Sequence, residues 1–259
     1  MRPVRTVVAL TTALACAAPA AADVTFKRKM EGRMMAGSMA GTSVQSIKGT
    51  KMRDDMTMAG TEMSSIIDVA TQQMITLNHK TREAEVYDMA SLGAELAAKV
   101  PLDDVQAKLT PTAETRQVAG ISCTVHNMDV TAPMDMGGEK MSVRMTGPVC
   151  VAKNGPGQAE VAAFYKAVAD KGLFFGDVRT AQAQPGQARG MTAMYREMAA
   201  LGVPLAQEMT IKFEGSGPMA GMMSKMGGTA MTTEVLSVST DPIPDSTFQV
   251  PDGYQVVKR

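Results

Sequence analysis

The sequence predicts an α+β fold that is mainly antiparallel β, on the basis of two patterns. In the first, short segments alternate apolar and polar residues with period two, and glycine or polar turns separate them about every ten residues, which is typical of an antiparallel meander. In the second, two longer segments carry apolar residues at helical spacing. No tandem repeat indicates a solenoid or a propeller. The 259 residues are enough for one domain of this class with its own core.

The period-two alternation predicts ten strands along the chain. Six short strands come first, two longer ones follow in the middle, and two more lie near the end. The predicted strands span 23–32, 42–47, 51–58, 62–69, 73–78, 83–89, 117–130, 140–152, 204–213 and 230–239.

Two clear helices and one shorter helix complete the predicted elements. Apolar residues at helical spacing predict helices over 158–171 and 188–201, and the glycine that follows each one is a typical stop signal. The Ala- and Leu-rich segment 91–99 predicts a short helix before a proline. The remaining stretches are predicted as loops or irregular chain, and they are 102–115, 181–186, the Gly/Met-rich 215–228 and the proline-containing tail 240–259.

The first 22 residues have the organisation of a bacterial signal peptide. Two arginines precede an uncharged, mostly apolar run, and three alanines then form a cleavage site that ends at Ala22. Cleavage there would export 23–259 to the periplasm as a single domain. An alternative is a lipoprotein anchored through Cys16, whose preceding residues distantly resemble a lipid-attachment site. No later stretch is long enough to cross a bilayer, so we expect the mature chain to be soluble or peripheral to the membrane, and not transmembrane.

Charge and cysteine content limit the partners of the mature chain. Removal of 1–22 lowers Lys+Arg from 26 to 24 against 26 Asp+Glu, a net charge near −2. Nucleic acid would require a basic surface, so we expect no nucleic-acid partner.

Cys123 and Cys150 remain, on neighbouring predicted strands, and the oxidising compartment favours a disulfide between them. Two buried thiols or a metal pair are the alternatives.

The sequence contains no pattern of a catalytic site. The two histidines, His79 and His126, lack motif partners, and no nucleophile elbow, P-loop or dinucleotide-binding glycine motif occurs. Asp54 and Asp55 are adjacent in a strand, so their carboxylates point to opposite faces and cannot act as one pair. We therefore expect a protein without catalytic residues or a cofactor.

Methionine is unusually abundant, with 25 residues against no Trp, 6 Phe and 4 Tyr. Because its side chain is flexible and polarisable, methionine predicts an adaptable core. Its thioether sulfur is also a soft ligand for copper(I) or silver(I). The segment 215–228 concentrates four sulfurs and is interpreted first as an apolar lip over a cavity, with a metal site as the alternative role. These residues are Met219, Met222, Met223 and Met226.

Several short motifs occur in an order that covers most of the chain after residue 22. They include Lys51-Met52-Arg53, Ile66-Ile67-Asp68, Ala119-Gly120-Ile121-Ser122-Cys123, Gly202-Val203-Pro204-Leu205 and Ile243-Pro244-Asp245-Ser246. This order resembles the bacterial family described as domain of unknown function 4412. The outline is also similar to the periplasmic lipoprotein-carrier (LolA-like) folds.

The resemblance implies a single curved sheet, an unclosed half-barrel, with two or three helices packed on its concave face and an apolar cavity between the two layers. It brings no catalytic residues. Five strand residues are the candidate lining, namely Met52, Met56, Ile67, Met74 and Leu77, and the candidate lid is Met191, Met194 and Met198 of a helix. The alternative for each of them is an ordinary core position.

These inferences lead to two hypotheses of different class. The leading one is a non-catalytic periplasmic binding protein whose apolar cavity holds a lipid, an acyl chain or a lipidated partner such as a lipoprotein. The other is a methionine-rich periplasmic protein that binds copper(I) or silver(I). A structural envelope protein without a small ligand is a third interpretation.

Overall fold

The computed structural model describes residues 23–34, 37–136, 138–174, 176–225 and 229–259, so the predicted signal peptide and its cleavage site lie outside the described residues. Within those ranges twelve strands form one sheet. They are β1 (Val24–Met34), β2 (Gly37–Lys48), β3 (Lys51–Met58), β4 (Thr61–Asp68), β5 (Gln73–Asn78), β6 (Glu83–Asp88), β7 (Gln106–Val118), β8 (Ile121–Met136), β9 (Glu139–Ala152), β10 (Val203–Glu214), β11 (Thr229–Ser239) and β12 (Gln255–Lys258).

The sheet is unclosed and runs in the order β12-β6-β5-β4-β3-β2-β1-β11-β10-β9-β8-β7. All neighbours are antiparallel except β12, which pairs parallel to β6. Tight turns set the register of the hairpins. At the β3–β4 turn Ala59 and Gly60 have φ of 49° and 78°, and at the β7–β8 turn Ala119 and Gly120 have φ of 51° and 76°. Two consecutive positive φ angles are the requirement of a type I′ hairpin turn, whose twist matches that of the flanking strands.

Five α-helices lie among the described residues: α1 (Met89–Lys99), α2 (Gln158–Asp170), α3 (Val178–Ala183), α4 (Pro185–Leu201) and α5 (Pro218–Lys225). Short 3₁₀ turns occupy Leu102–Asp104 and Asp245–Phe248. Helix α4 packs on the concave face against β7 to β10, and α2 packs against α4, β2 and β10. The predicted fold class is confirmed: a mainly antiparallel α+β fold with one curved, unclosed sheet. Among the described residues, no helix combines the length and the apolar character needed to cross a membrane.

The sheet is covered on both faces near β4 to β6. On the concave face the main core packs under the helices and includes Phe26, Phe164 and Leu173. On the convex face a smaller cluster is closed by the C-terminal segment, since Ile66 and Leu77 pack with Phe248. Strands buried on both faces lose the simple alternation of apolar and polar residues, because both sets of side chains leave water.

Two predicted loops contain regular structure. The segment 102–115 holds most of β7, whose Pro111 lacks an N–H donor and marks a break in the register with β8. Because β7 is the edge strand, one missing donor is tolerated. The segment 215–228 holds α5, whose first turn is capped by a distant side chain: the Glu139 carboxylate accepts hydrogen bonds from the backbone N–H groups of Met219 and Ala220, each at 3.1 Å. A local sequence pattern does not include this contact.

Two further segments also differ from the prediction. The residues 181–186, predicted as a linker, contain the end of α3 and the start of α4, with only Gln184 between them. Apart from the 3₁₀ turn at Asp245–Phe248, the tail is irregular until β12, which the sequence pattern missed because four residues are too few to display alternation.

Cys123 of β8 and Cys150 of β9 form a disulfide, as predicted, with their Cα atoms 5.4 Å apart. Both side chains are buried at the edge of the main core. Disulfides persist in oxidising compartments and are rare in reducing ones. The bond is therefore typical of an envelope or secreted protein.

Candidate functional site

A cavity of about 330 Å³ lies between the concave face of the sheet and the helices α2 and α4. Strands β1 to β5, β10 and β11 form its floor. Of the eight residues predicted from the sequence, five line it: Met52, Met56 and Ile67 from the strands, and Met191 and Met198 from α4. These five come together because alternate positions of β3 and β4 share one face, and Met52 and Ile67 are direct cross-strand partners.

Met74 and Met194 lie in the core and do not line the cavity. Met74 pairs with Ile67 across β4 and β5 and is fully buried in the main core. Met194 belongs to the core cluster that also contains Met128 and Met209. Both positions are on the predicted face, but helix packing covers them.

Leu77 lies on the opposite face of the sheet from the cavity. It is three positions from Met74 along β5, and side chains an odd number of residues apart in a strand point to opposite faces. Leu77 packs instead with Ile66 and Ile243 on the convex side. The prediction had placed Met74 and Leu77 together, which the two-residue period of a strand forbids.

The sequence pattern missed part of the methionine lining. Eight methionines of the described residues line the cavity, and they are Met30, Met52, Met56, Met63, Met191, Met198, Met209 and Met231. The four that were missed come from β1, β4, β10 and β11, strands that meet only in the folded sheet. Flexible thioether side chains suit a binding surface that adapts to varied apolar shapes.

One wall of the cavity is polar and centres on a cross-strand pair. Gln45 of β2 is directly opposite Asp54 of β3. Gln45 is only 5% exposed, and among the described residues its Oε1 and the Oδ1 of Asp54 accept no hydrogen bond. Burial raises the pKa of the Asp54 carboxyl, an effect opposed by the positive charge of Arg28 and a hydrogen bond from Ser43, and reinforced by the charge of Asp55. These two oxygen atoms are therefore buried acceptors without a donor among the described residues.

Two tyrosines form another part of the wall. The rings of Tyr165 from α2 and Tyr195 from α4 stack with centroids 5.4 Å apart and an interplanar angle of 6°. Burial raises the pKa of both hydroxyls, and the neighbouring Tyr165 adds to the effect on Tyr195. Both hydroxyls are therefore neutral at physiological pH. The stacked pair holds the two helices together above the sheet.

On the convex face, His79 belongs to a hydrogen-bonded chain that the sequence did not reveal. Its Nε2 is 2.7 Å from Ser64 Oγ, and its Nδ1 is 2.6 Å from the hydroxyl of Tyr254. The Ser64 hydroxyl donates to the Asp55 carboxylate, which also accepts from Arg53 Nε at 2.8 Å. Since the one hydroxyl hydrogen of Ser64 goes to Asp55, His79 Nε2 is the donor to Ser64, and in the neutral imidazole Nδ1 then accepts from Tyr254.

This direction of donation differs from that of an activated nucleophile. A base that activates serine accepts the hydroxyl hydrogen, whereas His79 donates to Ser64 here. Ser64 is also only 3% exposed. The other histidine, His126, is 7% exposed, and its Nδ1 lies 3.0 Å from the Thr124 carbonyl oxygen.

A second hollow, of about 640 Å³, is charged and separate from the first. It lies beside β6, α1 and α3. Its cations Arg179 and Arg259 both pair with Glu85, and the Tyr87 hydroxyl and Arg259 hold the pKa of that carboxyl below its usual range. The paired charges make this hollow a poor site for an apolar ligand.

The methionines predicted to bind a metal ion differ in how far they are buried. Met219 and Met223 of α5 pack against a core cluster, whereas Met222 is 52% exposed. Met226 lies outside the described residues. Among the described residues, no cluster of three or more His, Cys, Asp or Glu could hold a metal ion.

No family model matches this chain and no curated protein matches it, so membership of the domain of unknown function 4412 family stays a prediction. Three solved structures are similar in fold. An uncharacterized conserved protein from Thermus thermophilus is 9% identical with a TM-score of 0.38, and the match covers 92% of this chain and 91% of that one. PNGF-II is 10% identical with a TM-score of 0.36, and the match covers 91% of this chain but only 31% of PNGF-II.

The third structure is described as a domain of an outer membrane lipoprotein-sorting protein from Vibrio parahaemolyticus. It is 7% identical with a TM-score of 0.37, and the match covers 89% of this chain and 90% of that one. All three TM-scores lie below 0.5, so these similarities assign no family to this chain.

Proposed function

We propose that this protein is a non-catalytic binding protein of the bacterial envelope, in the periplasm, that holds a lipid, an acyl chain or the lipid of a lipidated partner in its cavity. The observation that carries the proposal is the cavity of about 330 Å³, with a floor of methionine and isoleucine side chains. Its volume lies within the range of roughly 300–1,000 Å³ that small-molecule pockets occupy.

Apolar burial would supply the binding free energy, at about 0.8 kcal/mol for each methylene removed from water. The polar wall adds a preference for one kind of head group. Gln45 Oε1 and Asp54 Oδ1 have no donor among the described residues, so a ligand hydroxyl or amine beside the apolar chain would supply the missing hydrogen bonds, which a carboxylate cannot. A carboxylate would place negative charge beside Asp54, so it would have to pair with Arg28, which lines the same cavity.

Two observations support the rest of the proposal. The Cys123–Cys150 disulfide favours an oxidising compartment, in agreement with the signal-like organisation of the first 22 residues. The histidine nearest to a hydroxyl, His79, donates to Ser64 rather than activating it, which favours binding over catalysis.

Filling the cavity tests this function. Met56 lines the cavity and is only partly buried, so Met56→Trp introduces a bulky ring there without replacing a core residue. We expect the affinity for a fluorescent long-chain alcohol to fall by roughly tenfold or more, since a loss of about 1.4 kcal/mol already gives that factor. Titration followed by fluorescence measures the change.

The matched control is Leu236→Trp, at a β11 position that is 51% exposed and outside the cavity. We expect its affinity for the same probe to equal that of the unaltered protein. If both variants bind the probe as the unaltered protein does, or if the unaltered protein binds no long-chain alcohol, lipid or acylated peptide, the proposed function is wrong.

A further inference from the structure

Three methionine sulfurs converge on one amide nitrogen in the second core cluster. The Nε2 atom of Gln207 lies 3.8 Å from the sulfur of Met128, 3.7 Å from that of Met194 and 3.9 Å from that of Met209. Met128 belongs to β8, Met194 to α4, and Met209 to β10. The sulfurs therefore meet only because the helix crosses these strands, and no segment of the sequence brings them together.

A glycine in the intervening strand permits this approach. Strand β9 lies between β8 and β10, and its Gly147 is the direct partner of Met128. Gly147 has a φ of +146°, and a Cβ there would overlap the carbonyl oxygen of Glu208. No side chain can stand at this position, so β9 places none opposite Met128.

The three sulfurs are well shielded from water. Met128 is 2% exposed, Met194 is 1% exposed and Met209 is 8% exposed. A buried set of lone pairs forms a locally negative surface, and the positive end of the Gln207 amide now occupies its centre. The opposite orientation would place Gln207 Oε1 against three acceptors, so the contacts favour the orientation that the structure has.

The amide does not satisfy all three sulfurs. Its NH₂ group has two hydrogens, whereas three thioether sulfurs face it. Contacts of 3.7–3.9 Å from nitrogen to sulfur are long and weak compared with ordinary N–H donation to oxygen. The three sulfurs thus form a negative centre that attracts positive charge, and the Gln207 amide satisfies this centre only in part.

We propose that Met128, Met194 and Met209 form a binding site for a soft monovalent cation, copper(I) or silver(I). Thioether sulfur selects soft ions, since oxygen and nitrogen ligands are absent from the three. All three ligands are neutral, so an ion in this site keeps its full charge. Burying a divalent ion without an anionic ligand would cost far more than burying a monovalent one, which excludes zinc and copper(II) on electrostatic grounds.

Access to the site runs through the cavity described above. Gln207 and Met209 both line that cavity, whereas Met128 and Met194 lie behind them. Rotation of the Gln207 side chain into the cavity would vacate the centre of the three sulfurs, and the flexible methionine side chains would then close on the ion. The site is distinct from the methionines of α5 and does not depend on lipid binding.

Silver(I) is the probe for the test, because it needs no reductant and so leaves the disulfide intact. Isothermal titration and native mass spectrometry of the unaltered protein should show one high-affinity silver(I) ion per chain. In the triple variant Met128→Leu, Met194→Leu, Met209→Leu we expect the affinity to fall by roughly tenfold or more, the scale that loss of even an outer partner of a metal costs. Leucine keeps the volume of methionine closely enough for the core to fold.

The matched control carries the same number of Met→Leu changes in α5, at Met219, Met222 and Met223. We expect it to bind silver(I) like the unaltered protein. If the α5 variant loses the ion and the core variant keeps it, or if both bind equally, the proposed site is wrong.

A second measurement does not depend on any variant. The ε-methyl groups of the methionines in residues 23–259 can be followed by NMR, and each reports on its own sulfur. One equivalent of silver(I) should shift three of them strongly, those of Met128, Met194 and Met209, and leave the α5 methyls in place. Uniform shifts across many methyls, without saturation at one equivalent, would overturn the proposal.

Discussion

At the scale of single residues, the cavity combines soft apolar side chains with one buried carboxyl. Asp54 faces the same side of β3 as Met52 and Met56, so the strand presents an acid between two thioethers. Burial costs the charged form of a carboxyl more than the neutral form. The charged form of Asp54 therefore destabilises the folded protein, while the same carboxyl makes one wall of the cavity polar.

The change Asp54→Asn tests this interpretation. Because burial raises the folded-state pKa of Asp54, the folded protein holds its proton more tightly than the unfolded chain does, and the residue's contribution to stability improves as the pH falls through that pKa. Asparagine removes both the charge and the titration. We expect the variant to have a higher free energy of unfolding than the unaltered protein near neutral pH, with the advantage shrinking as the pH falls through the Asp54 pKa.

Urea denaturation of both proteins across that pH range measures the difference in their free energies of unfolding. Subtracting one value from the other removes the contribution of all other carboxyls that titrate in this range. A variant that is less stable at neutral pH would mean that attraction to Arg28 outweighs burial. The cavity-filling variant Met56→Trp and its control Leu236→Trp also test single residues, but they measure ligand affinity rather than stability.

At the scale of elements, the C-terminal segment closes the convex face through a few specific contacts. The short strand β12 pairs with β6, and Tyr254 just before it joins His79. Arg259 just after it pairs with Glu85 at 2.5 Å. A strand of four residues forms few backbone hydrogen bonds with its neighbour, so the contacts of Tyr254 and Arg259 help to fix its position.

The change Tyr254→Phe should loosen this strand. It keeps the ring but removes the hydroxyl that donates to His79, and we expect a loss of about 0.5–1.5 kcal/mol in the free energy of unfolding. Hydrogen exchange should be faster for the amides of β12 and unchanged for those of β8, which serves as the internal control. Unchanged protection of β12 would show that backbone pairing with β6 alone holds it.

The elements also show where sequence reasoning succeeded and where it failed. Strands β3 and β5 lie where alternation placed them. Strand β7 was missed because an edge strand is mostly polar and contains Pro111, and α5 was missed because its cap is Glu139, far away in the sequence. Both failures have one physical cause, which is that partners distant in sequence stabilise a local segment whose own pattern is weak.

The candidate site was only partly predictable for the same reason. Positions 52 and 56 share a face by simple periodicity, so Met52 and Met56 were found, although the same rule should have excluded Leu77. The contact of Met194 with Gln207 depends on the path of α4, and that of Met128 with Gln207 crosses a third strand at a glycine. Such contacts follow from the tertiary arrangement and have no signature in a single sequence.

At the scale of the whole molecule, the disulfide is a covalent link between two neighbouring strands of the sheet, β8 and β9. It closes a separation of 27 residues. In the chain-entropy model a loop of this size restricts the unfolded state enough to contribute roughly 3–4 kcal/mol. The contribution acts on the entire cooperative unit, because the two strands lie within the main core.

The double variant Cys123→Ser, Cys150→Ser should therefore lower the free energy of unfolding by about 3–4 kcal/mol while the far-ultraviolet circular dichroism stays the same. Chemical denaturation with and without the disulfide measures the loss. Treatment of the unaltered protein with a reductant is the control and should give a similar change. A loss below about 1 kcal/mol would mean that the strands are already held in place in the unfolded ensemble.

An unclosed sheet has two edges, and each could recruit a strand from another molecule. Here one edge is β7, whose Pro111 interrupts the row of donors, and the other is β12, which is only four residues long. Neither offers a long, regular template. The protein can keep an open half-barrel, and with it an accessible interior, while resisting self-association into fibrils.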